Sequence, residues 1–128
     1  SLIELSNGSS KIEFLGRLSH EETIRQMSQS HIFALPSCKE TFGLVYLEAA
    51  ATANAIVAFN KYSINGVLLE DECLFSWDYK SFEEKIYNLI NNPKETLEMG
   101  LKARARAKEL TWEKVIEAYE QLYAKVLN

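Results

Sequence analysis

Short apolar runs that alternate with helix-start signals constrain the fold of this chain more than any other feature. The runs at residues 31–35 and 55–59 are continuously apolar, as in strands buried on both faces of a parallel sheet. Residues 11–16 are a further strand candidate, and residues 67–69 and 73–75 are shorter ones. Strands separated by helices pair in parallel through right-handed crossovers. The sequence therefore predicts a doubly wound α/β sheet that ends in helices.

Capping residues mark where the helices begin. Capping boxes at residues 19–22 and 81–84 predict two helix starts. Asn92 before Pro93 predicts a third start, and Thr111 predicts a fourth. The last helix carries apolar residues at helical spacing together with aromatic residues, and we expect these side chains to pack: Trp112, Val115, Ala118, Tyr119, Leu122, Tyr123 and Val126.

The composition is that of one globular domain. The chain has 128 residues, of which 47% are hydrophobic and 25% are charged, and its formal net charge is −4. A chain of this length buries a single core, so residues 1–128 are expected to form one domain. The acidic balance argues against nucleic-acid binding, which needs basic residues to neutralise phosphates. No apolar stretch of the sequence approaches the roughly 18 residues of a membrane span.

The cysteines and histidines give no sign of a metal centre. Cys38 and Cys73 lie far apart without CxxC spacing, which predicts two free thiols in a reducing cytoplasm. His20 and His31 fit no HExxH pattern, and each is expected at a helix end or at the edge of the core. The sequence therefore predicts a cytoplasmic protein without a metal site.

The loop after residues 31–35 is the first candidate for a site, because ligands bind at the carboxyl ends of the strands in such sheets. This loop leads into a helix predicted over residues 43–53. Glu48 lies among apolar residues of that helix, so we expect its carboxylate to be buried and to be paired or hydrogen-bonded. Gly43 lies where the helix begins, and it would let a ligand approach backbone amides at the positive end of the helix dipole.

Two carboxylates bracket the first turns of this helix. Glu40 precedes it and Glu48 lies inside it. Carboxylates are good acceptors for vicinal hydroxyl groups, and a helix N-terminus favours a diphosphate. The pattern therefore indicates a ligand that has a diphosphate between two hydroxyl-bearing groups, such as a nucleotide diphosphate sugar.

Residues 36–49 follow the pattern P-S-x-x-E-x-F-G-L-V-x-L-E-A, in which Glu40 and Glu48 have E-x7-E spacing. This pattern resembles the signature of the group 1 glycosyltransferases, the retaining enzymes related to glycogen and sucrose synthases. The match extends on both sides of the signature. Residues 14–16, 19–22, 33–37 and 110–115 are similar to family elements in the same order, so the resemblance covers roughly residues 12–126.

The resemblance implies a Rossmann-like half of the two-domain GT-B architecture, the half that binds the nucleotide sugar. Glu40 would be the catalytic-site carboxylate that contacts the donor hexose hydroxyls, and Glu48 would hold the ribose hydroxyls. The backbone amides of Phe42, Gly43 and Leu44 would face the sugar and the diphosphate. The implied reaction transfers a hexosyl group from a nucleotide diphosphate sugar with retention of configuration. It would need no metal or other cofactor, since the leaving diphosphate would be stabilised electrostatically.

The chain departs from the family pattern in two segments. The family usually follows the second Glu with A-M-A-x-G-x-P-V-V, but here Ala53 and Ala55 stand at the Gly and Pro positions. Asn54 is expected to supply the left-handed helix cap instead. The family commonly has a G-G-x-x-E loop after the next strand, whereas residues 61–66 lack the Gly pair and the acid.

The resemblance also implies that part of the enzyme is missing. The family's phosphate-binding Arg and Lys would precede residue 1, so Arg17 is expected to be an ordinary surface residue. The N-terminal acceptor-binding domain, the expected partner in cis, is missing as well. The chain alone is therefore expected to be inactive.

Other interpretations of the same residues remain open. Glu40 would also suit a first-turn anion, and Glu48 a structural ion pair. A cluster of basic residues is expected to form a solvated face, and it consists of Lys102, Arg104, Arg106 and Lys108. The alternative is that this cluster docks the full protein on a membrane surface.

A second class of function is a degenerate Rossmann-like binding or interaction module without catalysis. The changes at Ala53, Ala55 and near Gly66 favour this class. The intact spacing between Glu40 and Glu48 favours the enzyme.

Overall fold

A computed structural model describes residues 2–38, 40–59 and 67–127. The elements in these residues are α1 (Leu2–Leu5), α2 (His20–Ser28), β1 (Ile32–Leu35), α3 (Leu44–Ala51), β2 (Ala55–Phe59), β3 (Cys73–Ser76), α4 (Tyr79–Asn91), α5 (Pro93–Glu109) and α6 (Trp112–Leu127). The order of strands and helices agrees with the predicted α/β class.

The three strands form one parallel sheet in the order β1-β2-β3. The central strand β2 is buried throughout, because helices cover both of its faces. Ile56 and Ala58 belong to a core shared with α2, α3 and α5. Val57 and Phe59 point to the other face, into a core formed with α4 and Met99. This arrangement confirms the doubly wound class.

Two predicted strands are wrong. Residues 11–16 are exposed and form no strand, and Gly16 turns the chain with a φ of 66°. An apolar run becomes a strand only beside a hydrogen-bonding neighbour, and β1 pairs only with β2 in the described part of the chain. Residues 67–69 contribute an isolated bridge at Leu68, whose side chain is nevertheless buried in the core.

The two predicted capping boxes have different outcomes. Ser19 accepts from the amide of Glu22, and the Glu22 carboxylate accepts from the amide of Ser19 at 2.8 Å, so the first box is confirmed. The second helix start is wrong by three residues. Asp78 caps α4, because its Oδ1 accepts from the amide of Ser81 at 2.8 Å.

The predicted starts of α5 and α6 are confirmed, but only α6 has the predicted side-chain cap. Pro93 is the first residue of α5, yet the side chain of Asn92 makes no capping hydrogen bond. Its Nδ2 donates back to the carbonyl of Asn88 at 2.7 Å. Thr111 precedes α6 and accepts from the amide of Lys114 at 3.4 Å.

Gly100 lets α5 approach the turn between α3 and β2. A Cβ atom at Gly100 would lie 2.1 Å from the carbonyl oxygen of Ala53, which no real contact tolerates. Glycine inside a helix costs about 1 kcal/mol relative to alanine, and the close packing of α5 against this turn offsets that cost.

Ala53, and not Asn54, adopts the left-handed conformation, with a φ of 62°. The predicted role of Asn54 is thus wrong, and its side chain has another one. Asn54 is fully buried, and its Nδ2 donates to the carbonyls of Met27 at 3.0 Å and Ser30 at 2.6 Å. It thereby ties the end of α2, where the Met27 carbonyl also accepts from the amide of Ser30, to the turn after α3.

The predicted packing of the last helix is wrong for the residues that the structure describes. None of the residues of α6 is buried, and Trp112 is 76% exposed. The rings of Tyr119 and Tyr123 contact each other, with centroids 6.3 Å apart. The apolar stripe exists as predicted, but no described element lies opposite it.

The basic residues of α5 are not all solvated. Lys102 pairs with Asp71 at 3.8 Å. The Nε of Arg106 donates to the carbonyl of Val67 at 3.0 Å and lies 3.8 Å from Oε2 of Glu72. Arg106, whose side chain is 28% exposed, therefore holds residues 67–72 against α5, whereas Lys102 is 58% exposed and lies on the predicted solvated face.

Within the described residues, no helix has the length and apolar character needed to cross a membrane.

Candidate donor site

The loop between β1 and α3 lies at the carboxyl end of β1, where sequence reasoning placed the site. Gly43 is the N-cap of α3, with a φ of 73° and a ψ of 43°, and it makes no side-chain capping bond. The left-handed φ favours glycine at this position. Because the cap has no side chain, the positive end of the helix dipole faces the loop directly.

The residues flanking Gly43 lie at the surface. Phe42 is 50% exposed and Leu44 is 60% exposed, whereas Gly43 itself is buried. The Phe42 and Leu44 side chains therefore lie at the protein surface on either side of a buried glycine. The predicted role of their amides remains a prediction.

Glu40 and Glu48 lie on either side of this helix start. Glu40 is half-buried in the loop. Glu48 is the fifth residue of α3, which places it about 6 Å along the helix axis from the first residue.

The expected burial of Glu48 is wrong. Its side chain is 32% exposed, because α3 buries only Tyr46, Ala49 and Ala50. The expected pairing is found: Nδ1 of His20 lies 3.7 Å from Oε1 of Glu48. His20 is the first residue of α2 and its side chain is 75% exposed, so this contact is open to solvent and depends on protonation of the imidazole.

Sequence reasoning missed Tyr46, the residue that joins the helix to the strand. Tyr46 is fully buried and its hydroxyl donates to the carbonyl of Leu35 at 3.0 Å. Burial, assisted by the negative charge of Glu40, raises the pKa of Tyr46 to about 12. The only sequence signal was an aromatic residue at helical spacing in an apolar helix.

The two cysteines are free thiols, as predicted. Cys38 is exposed in the loop, whereas Cys73 is buried in β3. Burial raises the pKa of the Cys73 thiol to about 12. Within the described ranges, His, Cys, Asp and Glu side chains form no group of three or more that would hold a metal ion.

The segment expected to replace the family's G-G-x-x-E loop, residues 61–66, lies outside the described residues. Arg17 is exposed, as expected for a surface residue.

Comparison with known proteins gives one family. The family model for "Glycosyl transferases group 1" matches residues 1–106. An uncharacterized glycosyltransferase of Methanocaldococcus jannaschii is 28% identical over 130 aligned residues, which covers 95% of this chain and 36% of that protein. An alpha-maltose-1-phosphate synthase of Mycolicibacterium smegmatis is 30% identical over 110 residues, covering 78% of this chain and 28% of that protein.

The fold comparison agrees with the sequence comparison. The solved structure of a sucrose-phosphate synthase from Thermosynechococcus elongatus, a GT-B glycosyltransferase, superposes with a TM-score of 0.83 and 25% identity. The alignment covers 98% of this chain and 33% of that one.

The chain thus spans about a third of the length of the relatives that it matches. The family comprises enzymes. Because the family model covers more than half of the chain, the chain belongs to the group 1 glycosyl transferases.

Proposed function

We propose that this chain is the part of a group 1 glycosyl transferase that binds the nucleotide sugar. The full enzyme would transfer a hexosyl group from a nucleotide diphosphate sugar with retention of configuration. An acceptor-binding domain in the same polypeptide would complete the site, and the chain alone would be inactive. The observation that carries the proposal is the uncapped start of α3 at Gly43, with Glu40 and Glu48 on either side of it.

Each residue has a role that its position supports. The start of α3 would hold the diphosphate, since an uncapped helix N-terminus attracts anions. Glu48 would accept from the ribose hydroxyls, and its partly exposed carboxylate is accessible to them. Glu40 would accept from the hexose hydroxyls. As the bond to the diphosphate breaks, negative charge grows where the helix dipole already favours it.

The alternative is a module of the same fold without catalysis. The absence of Gly at position 53 is one argument for it. However, Ala53 keeps the left-handed conformation, with a φ of 62°, so the turn after α3 retains its geometry without Gly. The change at position 53 is therefore no argument for the module.

The test uses the complete polypeptide that contains this chain. Binding of UDP, GDP, ADP and their hexose conjugates is measured by calorimetry. The nucleotide sugar that binds is then supplied with candidate acceptors, and the product anomer is followed by proton NMR. The proposal predicts selective binding of one nucleotide family and a product with the anomeric configuration of the donor. A folded polypeptide that binds none of these compounds would overturn the proposal in favour of the module, and an inverted product would overturn retention.

A further inference from the structure

The side chain of Tyr46 reaches from the first turn of α3 to the carboxyl end of β1. Its hydroxyl donates to the carbonyl of Leu35 at 3.0 Å, and the Ser37 backbone that follows lowers the pKa of the same hydroxyl. The ring packs edge-on against Phe33, with centroids 5.7 Å apart and an interplanar angle of 88°. One fully buried side chain thus fixes both the last residue of β1 and the start of the loop.

The backbone of the same residue fixes the other end of the loop. The amide of Tyr46 donates to the carbonyl of Gly43 at 2.9 Å. The described residues of this loop, 36–38 and 40–43, are therefore bounded at both ends by hydrogen bonds to Tyr46. Closing the ends of a loop reduces its conformational freedom, so the residues between the ends have fewer positions to occupy.

Glu40 lies within this loop. Its negative charge adds to the effect of burial in raising the pKa of Tyr46. Burial keeps the hydroxyl protonated at every physiological pH, so it remains a hydrogen-bond donor to Leu35. Glu48, by contrast, is held by the helix itself and does not depend on the loop.

We propose that Tyr46 is a positioning residue: its hydroxyl sets the loop that carries Glu40 relative to the start of α3. This proposal rests on the proposed donor site. Loss of the hydroxyl would leave the ring in place but would free the loop. The affected function would be recognition of the sugar through Glu40, while recognition of the nucleotide through Glu48 would be retained.

The test compares Tyr46→Phe with Tyr87→Phe in the complete polypeptide. Tyr87 is 67% exposed on α4, so its substitution removes a hydroxyl far from the loop. Affinities are measured for the nucleotide sugar and for the nucleoside diphosphate alone. We expect Tyr46→Phe to lower the affinity for the nucleotide sugar about tenfold and the affinity for the nucleoside diphosphate less than about twofold. Tyr87→Phe should lower neither affinity.

A double-mutant cycle with Glu40→Gln shows whether Tyr46 acts through Glu40. We expect Tyr46→Phe to have little further effect on sugar affinity when Glu40 is already replaced. Hydrogen exchange should be faster in residues 36–43 of Tyr46→Phe and unchanged in β2, which separates loop release from general destabilisation.

The outcomes separate the two proposals. If the wild-type polypeptide binds no nucleotide sugar, the donor site fails, and the positioning role fails with it. If the wild type binds, two results overturn the positioning role alone. In the first, Tyr46→Phe lowers the affinities for the nucleotide sugar and for the nucleoside diphosphate equally. In the second, the loss of affinity from Tyr46→Phe adds fully to the loss from Glu40→Gln.

Discussion

Nδ1 of His20 lies 3.7 Å from Oε1 of Glu48, so the N-terminus of α2 and the middle of α3 meet at the second carboxylate of the site. Both side chains are partly open to solvent, and exposed ion pairs contribute little to stability. The contact therefore contributes little to the free energy of unfolding, and only the proposed function gives Glu48 a role in ligand binding.

This view gives a stability prediction for the pair. His20→Gln and Glu48→Gln should each change the free energy of unfolding by less than about 1 kcal/mol. Urea unfolding of the two single variants and the double variant measures the effect. Glu98→Gln, which breaks an exposed pair with Lys94 within α5, is the matched control. Each single variant could instead lower the free energy of unfolding by several kcal/mol, with the double variant losing no more than either one. That result would mean that Glu48 is a structural ion-pair partner.

Ala53 stands at the position where the family pattern has Gly, and it adopts a φ of 62°. A left-handed conformation costs a residue with a Cβ about 1 kcal/mol or more, whereas Gly adopts it freely. Ala53→Gly should therefore raise the free energy of unfolding by about 0.5–1 kcal/mol. Ala51→Gly, at an exposed helical position in α3, should lower it by about 1 kcal/mol. Equal losses in both variants, measured by urea unfolding, would show that the turn at Ala53 is not strained.

Asn54 holds the end of α2 against the turn after α3. Its side chain donates to the carbonyls of Met27 and Ser30 and accepts from the hydroxyl of Thr52 at 2.8 Å. Asn54→Ala removes the side-chain donor to the Ser30 carbonyl and one of the donors to the Met27 carbonyl, so it should lower the free energy of unfolding by about 1–3 kcal/mol. Asn88→Ala, at an exposed position of α4, should cost less than about 0.5 kcal/mol. Thermal unfolding of the two variants at one pH compares them, and similar midpoints would contradict this role.

Burial of Cys73 predicts how stability depends on alkaline pH. The pKa of its thiol rises from 9.0 to about 12 in the folded chain. Above pH 9 the unfolded chain loses this proton while the folded chain keeps it, so stability falls as pH rises toward 12. Each such group contributes a slope of up to about 1.4 kcal/mol per pH unit. Cys73→Ala should reduce the slope, and Cys38→Ala, which replaces an exposed thiol, should not.

The fold class follows from local signals that the structure preserves. The continuous apolar run at residues 55–59 predicted a strand buried on both faces, and β2 is that strand. Ser19 and Glu22 predicted the start of α2 because a capping box is a purely local arrangement. The strand predicted at residues 11–16 failed because strand formation depends on a neighbour, which a pattern within one segment does not supply.

For the candidate site too, sequence patterns predicted local features and missed contacts between elements. The E-x7-E spacing predicts Glu40 and Glu48 as site residues, which stays a prediction, whereas the predicted helix start at Gly43 is confirmed. The contacts of His20 with Glu48 and of Tyr46 with Leu35 join residues 28 and 11 positions apart in sequence. Such contacts arise from the packing of elements on the sheet, so no local pattern predicts them. The exposure of Glu48 was missed for the same reason, because the buried face of α3 depends on what packs against it.

The most direct test of the proposed donor site compares the ligand affinities of Glu40→Gln and Glu48→Gln in the complete polypeptide. Each variant is titrated calorimetrically with a nucleoside diphosphate and with its hexose conjugate. The account predicts that Glu48→Gln weakens both ligands by about tenfold or more, because the ribose is common to them, and that Glu40→Gln weakens only the hexose conjugate. Glu98→Gln should bind both ligands as the wild type does. If neither Glu40→Gln nor Glu48→Gln alters the affinity for either ligand, the two carboxylates do not form a donor site, and the account is contradicted.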